Sequence, residues 1–293
     1  MPELPEVEAV ARALRPLVRG QRIRCLHVFH PIAFKPQPAA VIARMVEGRR
    51  VQDVFRRGKY LFLRLDRGLV EMHFRFDGQL IWFSGAKDLL NKANAGDDGV
   101  HVDAAFEFGR GVLSFADQRH FGRVHAWESA EACQPLRKLG VDAFDPCFTA
   151  KLLHERTSRS TRPLKEFLLD QKRVAGIGNI YSSEALWHAR LNPWQPADSL
   201  GRRDSARLHK AIVHVLRRAL ECCQDPPPNF RDPKWWFQGL ETILRAYQRE
   251  GLPCRRCQRP IQRVEQGGRS TYFCGHARNN FIRGMFQPDR WEL

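Results

Sequence analysis

Tyr60-Leu61-Phe62-Leu63-Arg64-Leu65 and Leu69-Val70-Glu71-Met72-His73-Phe74 are two short β-prone runs with only Asp66-Arg67-Gly68 between them. Strand formers on both sides of a turn that ends in glycine predict antiparallel neighbours. The pattern extends both ways along the chain. Upstream, Arg22 to Phe29 alternates around Ile23, Cys25 and Val28. Downstream, His101 to Phe108 and Val112 to Phe115 flank Gly109-Arg110-Gly111, which reads as a second hairpin. At the head of the chain the period changes. Val10, Leu14, Leu17 and Val18 recur at helical spacing, Glu6 and Glu8 occupy the first turn, and Gly20 marks the stop. One helix followed by antiparallel strands predicts a sandwich or barrel domain over residues 1–127.

Beyond residue 128 the strand signal ends and helical patterns follow: Leu164 to Leu169, Ile180 to His188, and a longer face made by Leu208, Ile212, Val215, Leu216 and Ala219. Asp225-Pro226-Pro227-Pro228 breaks the chain again. From Cys254 onward, β-prone pieces at Ile261 to Val264 and Ser270 to Phe273 suit a small metal-stapled hairpin. The expectation is an α+β multidomain chain: a β domain over 1–127, a helical domain over 128–245, and a zinc hairpin with an extension over 246–293.

The composition is globular, with 43% hydrophobic and 27% charged residues among 293. Lys and Arg number 48 against 32 Asp and Glu, a net charge of +16 that favours a polyanionic partner such as nucleic acid. No apolar run approaches the ~20 residues that span a bilayer. Met1-Pro2-Glu3 lacks the basic-then-apolar layout of a signal peptide, so a cytoplasmic, monomeric protein without membrane contact is expected. Of the eight cysteines, Cys25, Cys133, Cys147, Cys222 and Cys223 are scattered, which fits reduced thiols better than a disulfide framework.

The remaining three carry chemistry. Cys254-x2-Cys257, then sixteen intervening residues, then Cys274 has the rhythm of a zinc ribbon. A closing Cys would fall at position 277, where Ala277 stands, so His276 is the nearest candidate for the fourth ligand of a Cys3His site. Three buried thiols without metal are the plainer alternative. Arg255, Arg256, Arg259, Arg263, Arg269, Arg278, Arg283 and Arg290 surround the cluster, as a reader of phosphates or grooves requires.

The other end of the chain offers a nucleophile. Removal of the initiator Met would make Pro2 the first residue of Pro2-Glu3-Leu4-Pro5-Glu6. An α-amine titrates near ~7.7–8.0 against ~10.4 for lysine, so an appreciable fraction is unprotonated at neutral pH. Attack by a secondary amine on a carbonyl carbon yields a cationic iminium, a strong electron sink. Glu3 and Glu6 stand close enough in sequence for general acid/base work. The same residues also read as an ordinary helix start, with prolines and acids where the first turn favours them. Three weaker motifs complete the set. In Gly176-Ile177-Gly178-Asn179-Ile180-Tyr181, a turn before a helix, Asn179 can cap the helix or donate to a phosphate. Arg57-Gly58-Lys59-Tyr60 sets a cation at a strand edge. Asp117-Gln118-Arg119-His120-Phe121-Gly122 offers a cation and an aromatic wedge for a vacated base stack.

Together and in this order, the five motifs resemble the formamidopyrimidine-DNA glycosylase / endonuclease VIII family of base-excision-repair enzymes, over almost the whole chain. The resemblance implies an N-terminal β-sandwich, a helix-two-turns-helix domain and a zinc finger holding one structural Zn2+, with double-stranded DNA carrying damaged bases or abasic sites bound between two lobes. It implies that Pro2 attacks C1′ of the damaged nucleotide, that Glu3 is the general acid/base, and that β,δ-elimination then cuts the strand. Lys59, Asn179 and Arg269 match phosphate ligands, with Lys59 also counted in the catalytic set, and Arg119 and Phe121 match two of three void fillers. The third is usually Met in the formamidopyrimidine branch; here Phe76 stands in its place, within His73-Phe74-Arg75-Phe76-Asp77-Gly78. The segment Pro226 to Phe237, with Pro233, Trp235 and Trp236, is unlike the glycine-rich loop of that branch and leaves the lesion open. A catalytically inactive damaged-DNA or junction binder and a zinc-ribbon RNA-binding protein are the alternatives.

Overall fold

The computed structural model describes residues 2–85, 87, 101–224 and 239–276. The Trp235-Trp236 segment, Ala277 and the extension over 279–293 lie outside them. The chain divides into two compact units, Met1–Leu139 with Ala219–Glu241, and Gly140–Arg218 with Thr242–Leu293.

In the first unit, helix α1 (Leu4–Val18) leads to β1 (Cys25–Val28), α2 (Ala39–Val46), β2 (Val51–Arg57), β3 (Tyr60–Leu65), β4 (Leu69–His73), β5 (Gln79–Phe83), β6 (Val102–Phe108), β7 (Gly111–Ala116) and β8 (Arg123–Trp127). The strands form two four-stranded sheets, ordered β2-β3-β4-β8 and β1-β6-β7-β5, with antiparallel pairing throughout. Phe74, one residue past β4, stacks on Phe115 of β7 with ring centroids 6.1 Å apart, so residues from both sheets share a core. The β3 and β4 runs read from sequence pair across Asp66-Arg67-Gly68, with Arg64 opposite Leu69. Gly68 has φ 80, and a Cβ there would lie 2.4 Å from the Trp127 carbonyl oxygen.

α1 buries Leu4, Val7, Val10, Leu14 and Val18, the apolar face of its helical period. Its polar face is tied to β2. Arg15 donates from Nε and Nη2 to the Val54 carbonyl (3.0 and 2.6 Å), and Arg56 donates to Glu8 at 3.0 Å. These bonds fix the helix whose first turn carries the N-terminal motif.

The second unit begins with the short parallel pair β9 (Val141–Asp142) and β10 (Val174–Ala175). Its helices are α4 (Ala150–Thr157), α5 (Leu164–Leu169), α6 (Asn179–Ala189) and α7 (Arg202–Gln224), the last running on into the first unit; α3 (Gln134–Lys138) precedes them there. A short α8 (Leu240–Ile243) leads towards the antiparallel hairpin β11 (Gln262–Gln266) and β12 (Arg269–Phe273). Glu184 of α6 is buried, and its carboxylate accepts from the backbone N–H groups of Arg245, Ala246 and Tyr247, each at 2.8 Å. Burial holds this carboxyl above its ordinary value, against the pull of those donors.

Candidate functional site

The N-terminal residues are fixed by the helix they start. Glu3 is the N-cap of α1, and its backbone N–H donates to Glu6 Oε2 at 2.8 Å, one arm of a capping box. Pro2, Glu3 and Glu6 are all buried. The cap that begins α1 therefore also orients the Pro2–Glu3 peptide. Glu6 is engaged in that cap.

Lys59 occupies the two-residue turn between β2 and β3, with Arg57 paired to Tyr60 across it. Gly58 has φ 59, as the first turn position of such a hairpin demands. Lys59 is only 7% exposed. Next to it lies His73 at the end of β4. Burial, with the charges of Arg75 and Lys59, pushes the His73 imidazole down to about 3. Its Nδ1 accepts from the Arg75 backbone N–H at 3.1 Å, and its ring meets Tyr60 edge-on at 4.4 Å.

Phe76, Arg119 and Phe121 converge, although more than forty residues separate the first from the other two in sequence. Phe76 and Phe121 are half exposed and meet edge to face at 5.7 Å, and the Arg119 guanidinium lies 4.9 Å from the Phe76 ring centre and 5.7 Å from that of Phe121. Arg119 Nε donates to Asp77 Oδ2. The supporting loop is tightly bonded. Asp117 accepts from the backbone of Arg119 (3.0 Å) and of Gly122 (2.5 Å), and Arg123 Nη1 donates to the carbonyls of His120, Phe121 and Gly122. His120 has φ 55, and its Nδ1 lies 2.6 Å from Asp103 Oδ1. At Gly122 a Cβ would approach the Phe115 ring to 2.6 Å.

In the second unit the turn before α6 is as expected, but Gly178 is the N-cap and Asn179 the first helical residue, so Asn179 does not cap the helix. Its side chain is therefore available elsewhere, and Nδ2 donates to the Ser270 carbonyl at 3.0 Å. Arg269, exposed at the start of β12, follows the turn Gly267-Gly268, whose φ values of 56 and 72 both require glycine-like freedom. Sequence reasoning missed Lys165. Fully buried, it donates from Nζ to the Ser270 carbonyl (2.9 Å) and to Thr271 Oγ1 (2.7 Å). A lysine in the apolar pattern of Leu164 to Leu169 was the signal for it.

Cys254, Cys257 and Cys274 bring their sulfurs within 4.8 Å of one another, packed against Trp187, Ala246 and Ile261. Soft thiolates converging at one point suit zinc. His276 lines the same cavity. Arg259 donates to its Nδ1 at 2.9 Å. A metal bound at Nδ1 would compete with Arg259 for that nitrogen.

Comparison with known proteins agrees with this geometry. The model of the formamidopyrimidine-DNA glycosylase N-terminal domain matches residues 1–124, that of the formamidopyrimidine-DNA glycosylase H2TH domain matches 139–226, and that of a zinc finger found in FPG and IleRS matches 251–276. The formamidopyrimidine-DNA glycosylase of Bacillus licheniformis is 36% identical over 277 residues, covering 94% of this chain and 98% of that protein. Its counterpart in Chloroflexus aurantiacus is 38% identical, covering 94% and 96%. Among solved structures, the MutM (Fpg) protein of Thermus thermophilus aligns with a TM-score of 0.78 at 34% identity over 94% of this chain and 98% of that one. Lactococcus lactis Fpg, in complex with DNA containing N7-benzyl-Fapy-dG, aligns with a TM-score of 0.83 at 28% identity over 95% and 100%. A base-excision-repair DNA glycosylase with a zinc finger is the class these features define. The chain belongs to the formamidopyrimidine-DNA glycosylase family.

Proposed function

We propose that this glycosylase is bifunctional, with Pro2 as the nucleophile that also makes it an AP lyase. The observation that carries this is the placement of Pro2 directly before the buried N-cap Glu3, whose peptide N–H is pinned to Glu6 at 2.8 Å. A nucleophile in such a frame reaches its target without a search. The Pro2 nitrogen forms a bond to C1′ as the glycosidic bond breaks and the base leaves, protonated by a general acid. Glu3 serves as that acid/base beside the sugar. Cleavage of the C1′–O4′ bond, with O4′ taking a proton from the same acid/base, opens the sugar ring and converts the aminal to the iminium. The iminium makes the C2′ proton acidic; its loss breaks the C3′–O bond and expels the 3′ phosphate, and a second elimination expels the 5′ phosphate.

The substrate is duplex DNA bearing a damaged base or an abasic site. Solved relatives include a complex of Lactococcus lactis Fpg with DNA containing an abasic site. Lys59, Asn179 and Arg269 are the proposed phosphate ligands; Phe76, Arg119 and Phe121 fill the space that the extruded nucleotide leaves. Among the described residues no helix is long and apolar enough to cross a membrane. A bacterial-type cytoplasmic enzyme working at the chromosome is the setting this function requires.

Borohydride reduction in the presence of abasic duplex tests the reading. A covalent protein–DNA adduct is expected, absent in Pro2→Gly and in a form with a residue retained ahead of Pro2. Binding of abasic DNA with no adduct at any borohydride concentration would falsify it.

A further inference from the structure

The geometry points to Asp77 as a positioning residue that assembles the void-filling plug before DNA arrives, by holding the Arg119 guanidinium against Phe76 and Phe121. This inference rests on the glycosylase reading above, and its readout is independent of the lyase chemistry.

A carboxylate on a surface that must approach phosphates is electrostatically unfavourable unless a cation neutralises it. Asp77 has that cation. Arg119 Nε donates to its Oδ2, and the guanidinium lies near both phenyl rings, at 4.9 and 5.7 Å. Arginine is long, and a solvated side chain on a loop samples many rotamers, so ordering it on binding costs conformational entropy. Asp77 removes part of that cost in advance. With Nε committed, both terminal nitrogens of Arg119 are left as the donors that can face the duplex.

The two backbones are built to keep this pairing in register. Gly78, the neighbour of Asp77, admits no side chain, because a Cβ there would lie 2.5 Å from the Phe74 carbonyl oxygen. On the other side Asp117 and Arg123 lock the Arg119 loop through their bonds to its backbone. Asp77 is thus delivered from one rigid loop and Arg119 from another. Asp77 and Arg119 are 40% and 51% exposed in their side chains, so the ion pair alone is worth little. Its contribution is geometric: it selects one orientation of a guanidinium that the rings alone would leave free to swivel.

The test uses the full chain and a duplex with a non-cleavable abasic analogue, with 2-aminopurine as the opposite base. Fluorescence then reports insertion of the plug without any chemistry. Asp77→Ala should weaken binding about three- to tenfold and reduce the emission change, while binding of an undamaged duplex holds or tightens as a negative charge is lost. In an Arg119→Ala background the same substitution should change affinity less than about 1.5-fold, because the two residues act as one unit. An equal loss in both backgrounds, or an Asp77→Ala protein that binds the abasic duplex as tightly as the parent with the same emission change, overturns the proposal. Absence of the borohydride adduct in the parent protein overturns the lyase reading instead, and leaves this measurement standing.

Discussion

The Asn179 side-chain amide and the Ser270 backbone carbonyl are joined by a 3.0 Å hydrogen bond, which ties the first residue of α6 to the residue following Arg269. Two proposed phosphate ligands, one on a helix and one on the zinc hairpin, are thereby held by one bond. Arg269→Ala should weaken DNA binding across sequences, and the slope of log affinity against log salt should flatten by about one unit. Asn179→Ala should weaken binding with little change in slope, since no charge is lost. Binding titrations from low to moderate salt check both; an unchanged slope in Arg269→Ala would remove that residue from the phosphate contacts.

Lys165 holds the same carbonyl through a second donor. Lys165→Ala deletes the donors to Ser270 and Thr271 and opens a cavity, and should cost about 2–4 kcal/mol of stability. Lys165→Met should recover most of that loss if shape dominates and little if the hydrogen bonds dominate. Urea unfolding of the three proteins decides between them.

His73 sets a pH dependence. Its folded value of about 3 lies below the ordinary 6.5, because burial and the neighbouring Arg75 and Lys59 disfavour the charged ring. The unfolded chain therefore takes up a proton that the folded one refuses, between pH 6.5 and about 3. Its contribution is fully favourable above 6.5 and is lost progressively as the pH falls towards 3. His73→Asn should flatten the decline in stability between about pH 7 and about pH 5, measured by denaturant midpoints. An identical slope in parent and variant would show that His73 is not responsible.

Zinc content reports on the finger. About one zinc per chain is expected by elemental analysis, falling below about half in Cys274→Ala. His276→Ala should release zinc to a chelator at least about tenfold more readily if His276 closes the site. Release at the parental rate would assign the fourth position to another group.

The strands that alternate or run apolar between clear turns were legible in the sequence, whether central like β3 and β4 or at an edge like β1. Tyr60 to Leu65 and Leu69 to His73 sit inside their sheet and are apolar enough to be read directly. Their outer neighbours β2 and β8 are edge strands. In β2, Gln52, Asp53, Arg56 and Arg57 break the apolar pattern because much of its surface meets water or the polar face of α1. β5 (Gln79–Phe83), an edge of the other sheet, escaped although it is mostly apolar and buried, so edge position alone does not account for it. In the candidate site, Pro2, Lys59 and the thiols could be proposed from sequence because each has a local motif. The Asp77–Arg119 pair and the Lys165–Ser270 bond were not, since long-range pairing leaves no short-range pattern.

Glu184 accepts three successive backbone N–H groups from residues 245–247, only a few positions before Cys254. The root of the finger is thus moored to α6 by bonds that involve no metal. Loss of zinc is then expected to be a local event, loosening the tip while the residues ahead of Cys254 stay moored, so that the ligands remain close enough together for the ion to be regained without unfolding the domain.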